Sequence, residues 1–262
     1  MYSCEYARPQ SVADAAQAIA DGGQALAGGQ TLIATMKQRL AAPGTLVDLS
    51  HIADLKGIRV DGDNVVIGAM VCHADVAESD VVRQHIPALA ELAGGIGDRQ
   101  VRARGTLGGS VANNDPAACY PSAVLALGAT VITDQRQIAA DDFFQGMYAT
   151  ALEPGELILA ISFPKPQAAA YAKFKQQASR FALVGVFVAN TAGGVRVAVT
   201  GAGTEGVFRS VALEQALNAE CSAASAAAVA VPADGLNSDI HGTAEYRAHI
   251  IGVMAQRAVA SL

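Results

Sequence analysis

Tryptophan is absent from the 262 residues, and aromatic side chains make up only 5% of them. A core built without large rings has to be assembled from many small aliphatic side chains, and 52% of the residues are hydrophobic, much of that alanine. Cysteine is sparse: Cys4, Cys72, Cys119 and Cys221 stand far apart, with no C-x-x-C. That spacing excludes a local zinc or iron–sulfur motif. Together with a start, Met1 to Glu5, that has no basic or hydrophobic leader pattern, it implies free thiols in a reducing, cytoplasmic setting. Charge is low too, at 16% of residues with a net −6, which argues against general nucleic-acid binding. No apolar run reaches the length of a bilayer span. The five histidines are scattered without metal spacing, and no G-x-S-x-G nucleophile elbow occurs, so hydrolase chemistry has no support.

Glycine is what the chain does have, 26 residues of it. Twice it is paired in the same context. Leu26-Ala27-Gly28-Gly29-Gln30-Thr31-Leu32 runs from an apolar strand through two glycines to a hydroxyl residue able to cap a helix. Gly105-Thr106-Leu107-Gly108-Gly109-Ser110 follows Gln100 to Arg104, whose alternation would put three polar side chains on one face of an extended segment. Asn113-Asn114-Asp115-Pro116 then reads as a helix start. Paired glycines let a backbone approach a bulky anion and turn successive N–H groups into one concavity. Two such loops suit a ligand with two phosphates.

The segments AGGQTLIATMK and, some seventy residues on, QVRARGTLGGSVANNDPA resemble the FAD-binding (medium) subunit of the molybdenum hydroxylases, the xanthine dehydrogenase and aerobic carbon monoxide dehydrogenase family. The resemblance covers nearly the whole chain. It implies that Leu26, Ala27, Gly28, Gly29, Gln30, Thr31 and Leu32 hold the FAD diphosphate region, with Thr106, Gly108, Gly109 and Ser110 in the second loop and Asn113 and Asp115 near the flavin. It also places Lys175, with Ile158 on the preceding strand, beside the isoalloxazine. A cation there would favour reduced, anionic flavin; the bland alternative is a solvated strand lysine. At Cys119 many relatives carry an acid, so contacts at that position are left unassigned.

Small strands, helices and hairpins in mixed order indicate an α+β protein. The resemblance implies a two-lobed FAD-binding domain of the vanillyl-alcohol-oxidase/PCMH type over residues 1–166, then a smaller α+β C-terminal domain over 167–262, joined at Pro164-Lys165-Pro166. Expected elements include a helix capped at Ser11, a helix from Thr31 to Leu40 with Leu32, Ile33, Met36 and Leu40 inward, and a hairpin around Asp61 to Asn64. Two helices are expected between Ala74 and Ala93, a buried helix from Tyr120, and a strand with Tyr171, Lys173 and Lys175 on one face. Gly201 to Gly206 spells G-x-G-x-x-G, but Val207 to Ser210 intervenes where a helix should open and an alanine-rich stretch follows, so a dinucleotide site there is declined.

The functional expectation is an FAD-carrying electron-transfer subunit. Its partners, implied by the resemblance, are an iron–sulfur small subunit and a molybdenum-cofactor large subunit, assembled as a dimer of heterotrimers. An independent FAD-dependent oxidoreductase and a flavin-free structural subunit remain as alternatives. The terminal acceptor is open among NAD, a quinone, oxygen and a carrier protein.

Overall fold

The computed structural model describes residues 1–262. A small parallel sheet opens the chain. It is formed by β1 (Glu5–Ala7), β2 (Gln24–Leu26) and β3 (Thr45–Asp48), in the order β1-β3-β2. The first crossover is α1 (Val12–Ala20), capped by the Ser11 hydroxyl, which accepts from the Asp14 N–H. The second contains α2 (Leu32–Lys37), shorter than the expected Thr31–Leu40 helix. Arg39 turns left-handed (φ 63°), and the Leu40 N–H donates back to the Thr35 carbonyl, a six-to-one closure usually given to glycine. Leu40 is consequently 76% exposed instead of inward.

The central sheet is antiparallel, in the order β4-β5-β10-β6-β7. Its strands are β4 (Ile58–Asp61), β5 (Asn64–Gly68), β6 (Thr130–Thr133), β7 (Gln137–Ala139) and β10 (Ile158–Pro164), with a small β8 (Phe144–Gly146) and β9 (Ala149–Thr150) hairpin alongside. Between β5 and β6 the chain makes α3 (His73–Glu78), α4 (Asp80–His85), α5 (Pro87–Gly94), α6 (Arg99–Arg102), α7 (Leu107–Asn113) and α8 (Tyr120–Ala126); α9 (Ala140–Phe143) follows β7. Three helices, not two, fill 73–94, because Ser79 is extended and caps α4 through the Val82 N–H. The alternating Gln100–Arg104 segment is not a strand. Asp98 accepts from the Val101 N–H and starts α6, and this local cap outweighs the two-residue pattern.

Asn113–Pro116 is likewise a helix end, not a start. Thr106 caps α7 seven residues earlier, and Asn114 closes it in the left-handed region at φ 42°.

The last sheet is an antiparallel meander, β11 (Ala168–Lys175), β12 (Ala182–Thr191), β13 (Gly194–Gly203) and β14 (Gly206–Arg209). One face is covered by α10 (Val211–Ala219), α11 (Ala223–Ala227) and α12 (Ala244–Val259). Gly201–Gly206 forms the β13–β14 hairpin, with Gly203 opposite Gly206, and the last glycine opens strand β14, not a helix. The other face of this sheet meets α8. Phe187, Ala189 and Ala198 join the main core with Tyr120, Ala123 and Val124, so the third sheet and the central helices share one apolar interior.

Candidate functional site

The two glycine loops meet backbone to backbone. A Cβ on Gly28 would lie 2.1 Å from the Arg104 carbonyl oxygen and 2.7 Å from the Gly105 Cα. On Gly109 it would meet Thr106 Oγ1 at 2.8 Å and the Ala27 Cβ at 3.2 Å; on Gly108 it would strike Ala69 at 2.5 Å. At Gly28 and Gly108 the contacts include backbone atoms and leave no room for a side chain, so glycine is required there by proximity, whereas at Gly109 a side chain would press on Thr106 and Ala27. Gly29 adds a left-handed turn at φ 70°.

The loops differ in their free donors. The backbone N–H groups of Ala27, Gly28, Gly29, Gln30 and Thr31 donate to no acceptor in the protein. In the second loop Leu107 donates to Val71, Gly108 to Ala69, Ser110 to the Thr106 carbonyl and Gly109 to the Thr106 hydroxyl. The first loop therefore presents a run of open N–H groups to an anion, whereas the second supplies close packing and its own hydroxyl cap. Thr31, expected as a cap, makes no capping bond.

Behind the second loop lies a group of buried polar atoms. The His73 ring packs on Gly105 and lies 5.3 Å, centroid to centroid, from the fully buried Tyr120. Burial, reinforced by the Arg102 charge, pushes the His73 pKa down to about 4, so the imidazole is neutral at pH 7. His73 Nδ1, the Tyr120 hydroxyl and the Tyr171 hydroxyl have no hydrogen-bond partner. Such atoms are rarely left unpaired without a water or ligand to serve them.

Of the two strand lysines, Lys173 is the anchored one. Its ammonium donates to the Gly95 carbonyl at 2.7 Å and the Arg180 carbonyl at 3.2 Å, and it contacts Cys119 Sγ at 3.5 Å. Lys175 is exposed and makes no hydrogen bond or ion pair. The alternation in β11 gives both lysines the same face, and the groups that converge on Lys173 from the Gly95 and Arg180 turns distinguish them. Asp115 accepts from the Ala117 N–H and the Tyr148 hydroxyl, and it borders a cleft of ≈ 340 Å³ with Phe181, Asn237, His241 and Arg247. Asn113 is half-buried; its neighbour Asn114, read from the sequence only as part of a helix start, pins the 146–149 turn by donating to the Gly146 and Ala149 carbonyls. Ile158 is buried in the main core opposite Thr133.

Open N–H donors, a glycine-lined approach and unpartnered polar atoms beside them fit a diphosphate that carries a heteroaromatic ring. Comparison with known proteins agrees. The family described as "FAD binding domain in molybdopterin dehydrogenase" matches residues 2–166. The chain is 39% identical to the carbon monoxide dehydrogenase medium chain of Afipia carboxidovorans over 98% of this chain and 96% of that one. It is 36% identical to the nicotine 6-hydroxylase medium subunit of Paenarthrobacter nicotinovorans over 97% and 95%. Among solved structures, a Cu,Mo-CO dehydrogenase chain superposes with a TM-score of 0.89 at 36% identity, covering 99% of this chain and 97% of that one. A quinoline 2-oxidoreductase chain from Pseudomonas putida gives a TM-score of 0.90 at 29% identity, covering 99% and 96%.

The fold is thus the α+β, PCMH-type FAD fold, and the chain is an FAD-dependent oxidoreductase subunit. It belongs to the FAD-binding medium-subunit family of the molybdenum hydroxylases. No helix is long and apolar enough to cross a membrane.

Proposed function

We propose that this chain is the electron-transfer subunit of a molybdenum hydroxylase, receiving electrons from an iron–sulfur partner and handing them to a terminal acceptor. The single observation that carries the reading is the junction of the two loops, with five consecutive unpartnered N–H groups on the first. Leu26 to Leu32 hold the diphosphate through those donors. Thr106, Gly108, Gly109 and Ser110 close the other side, and Asn113, Asp115 and Ile158 shape the approach. FAD, when bound, accepts electrons singly and releases them in pairs. The chain's own part is to bind it, exclude side chains from the phosphates and set local charge, with Lys173 and Lys175 as the cations of β11. Residues 1–166 form the FAD-binding domain and 167–262 the C-terminal domain, and the assembly is a cytoplasmic dimer of heterotrimers.

Substrate hydroxylation on a separate molybdenum subunit makes the isolated chain a flavin carrier without substrate chemistry. Anaerobic flavin absorbance tests this. Dithionite should bleach the isolated chain, while purines, N-heterocycles, aldehydes and carbon monoxide leave it oxidised. Adding the iron–sulfur and molybdenum subunits should restore bleaching by one of those substrates. Bleaching of the lone chain by an organic substrate would replace this reading with an independent oxidoreductase.

A further inference from the structure

We infer that Cys119 and Lys173 form an oxidative modification site, at which hydrogen peroxide joins Sγ to Nζ through one oxygen atom. Cys119 is 5% exposed and stands at the head of α8, with its Sγ 3.5 Å from Lys173 Nζ. The other ligands of the ammonium are the Gly95 and Arg180 carbonyls, so no carboxylate shares the lysine and the thiol is its only side-chain partner. A second observation marks the same point. The Tyr171 hydroxyl is buried with no hydrogen-bond partner, and burial together with the nearby Cys119 thiol holds its proton on. An oxygen inserted between sulfur and nitrogen would accept the bond this hydroxyl lacks. The remaining gap is closed by the flexible lysine stem.

The chemistry balances in two steps. Peroxide first oxidises the thiol: S–H and O–O break, S–O forms, and sulfenic acid and water result. The lysine amine, its extra proton lost to solvent, then reacts with the sulfenic acid and a second peroxide. One N–H and the sulfenic O–H break, N–O forms, and the peroxide leaves as two waters. In sum, one thiol, one amine and two peroxides give the S–O–N link and three waters. The linked nitrogen is weakly basic, so the site loses its positive charge. Peroxide arises where a reduced flavin meets dioxygen; in naming that source the inference rests on the reading above.

The test is peptide mass spectrometry of the FAD-loaded full chain after treatment with hydrogen peroxide. The expected product is the Cys119 peptide joined to the Lys173 peptide, with one oxygen gained and two hydrogens lost, and released by dithiothreitol. Cys119→Ser and Lys173→Arg should abolish it while each protein still melts cooperatively. Exposed Cys221 serves as the internal control and should oxidise without linking. Finding Cys119 only as free thiol, sulfinate or sulfonate would overturn the inference. Because the peroxide is added, a chain that links yet binds no FAD would sink the flavin reading alone. Linkage with added peroxide but none on aerating the dithionite-reduced protein would overturn the flavin as its source.

Discussion

Gly28 and Gly109 act through the space they leave free. A Val at Gly28 puts Cβ within 2.1 Å of the Arg104 carbonyl, so the two loops must part. Charge-assisted N–H bonds to a phosphate contribute about 1.5–3 kcal/mol each. Gly28→Val and Gly109→Val should therefore emerge largely free of FAD while keeping their far-ultraviolet circular dichroism, with flavin content read from absorbance per chain. The residue scale also fixes the response to acid. Glu156 is shielded from solvent, and Arg136 donates to it through Nε and NH2, both at 3.0 Å, which with Thr133 and the Glu153 N–H lowers its pKa from 4.5 to about 2. A depressed carboxyl stabilises the fold above its unfolded pKa, and that stability is lost as pH falls from about 4.5 to about 2. Neutral, buried His73 adds a loss that begins as pH falls below 6.5 and is complete near 4. Urea unfolding across this range should show both limbs. Glu156→Gln should lose about 2 kcal/mol at pH 7, since Arg136 is partly solvated, and should flatten the lower limb.

Among the elements, α12 depends on one buried charge. Arg247 is 3% exposed and donates NH1 to the Leu183 and Gly201 carbonyls, both at 2.9 Å, and NH2 to Asp239 at 2.7 Å. It ties α12 to β12, β13 and the 239 turn. Arg247→Met leaves those acceptors without a donor and should cost about 3 kcal/mol in urea unfolding. Arg247→Lys should recover less than half, because an ammonium cannot span the fork. Elements with a clear local boundary signal were readable: α1 with its Ser11 cap and the β4–β5 hairpin around Asp61 to Asn64 lie where the pattern puts them. Those that were misread failed for local reasons. At α6 an Asp98 cap overrides alternation, and at α7 a left-handed Asn114 makes a stop look like a start.

At the scale of the whole molecule, the two proposed domains are not independent bodies. Phe187, Ala189 and Ala198 from the last sheet sit in the same core as α8. Arg196 reinforces that contact by donating to the Leu125 carbonyl and pairing with Asp141. Residues 1–166 expressed alone should expose the face of α8, bind a hydrophobic dye and unfold without a cooperative transition. A sharp melt of that fragment would show that its core closes by itself.

The sequence by itself determined the glycine pairs, the absence of local metal motifs, the mixed strand and helix content and the resemblance to an FAD subunit, because each is written in neighbouring residues. Tertiary structure decided which donors stay open. The N–H groups of Gly108 and Gly109 are consumed by Ala69 and Thr106, while those of Ala27 to Thr31 are not, and this depends on strand β5 ending beside the second loop. It also decided between lysines. Lys173 and Lys175 are equivalent in an alternating strand, yet the Gly95 and Arg180 carbonyls converge on Lys173 alone. Convergence of groups distant along the chain is a property of packing, and no local pattern carries it.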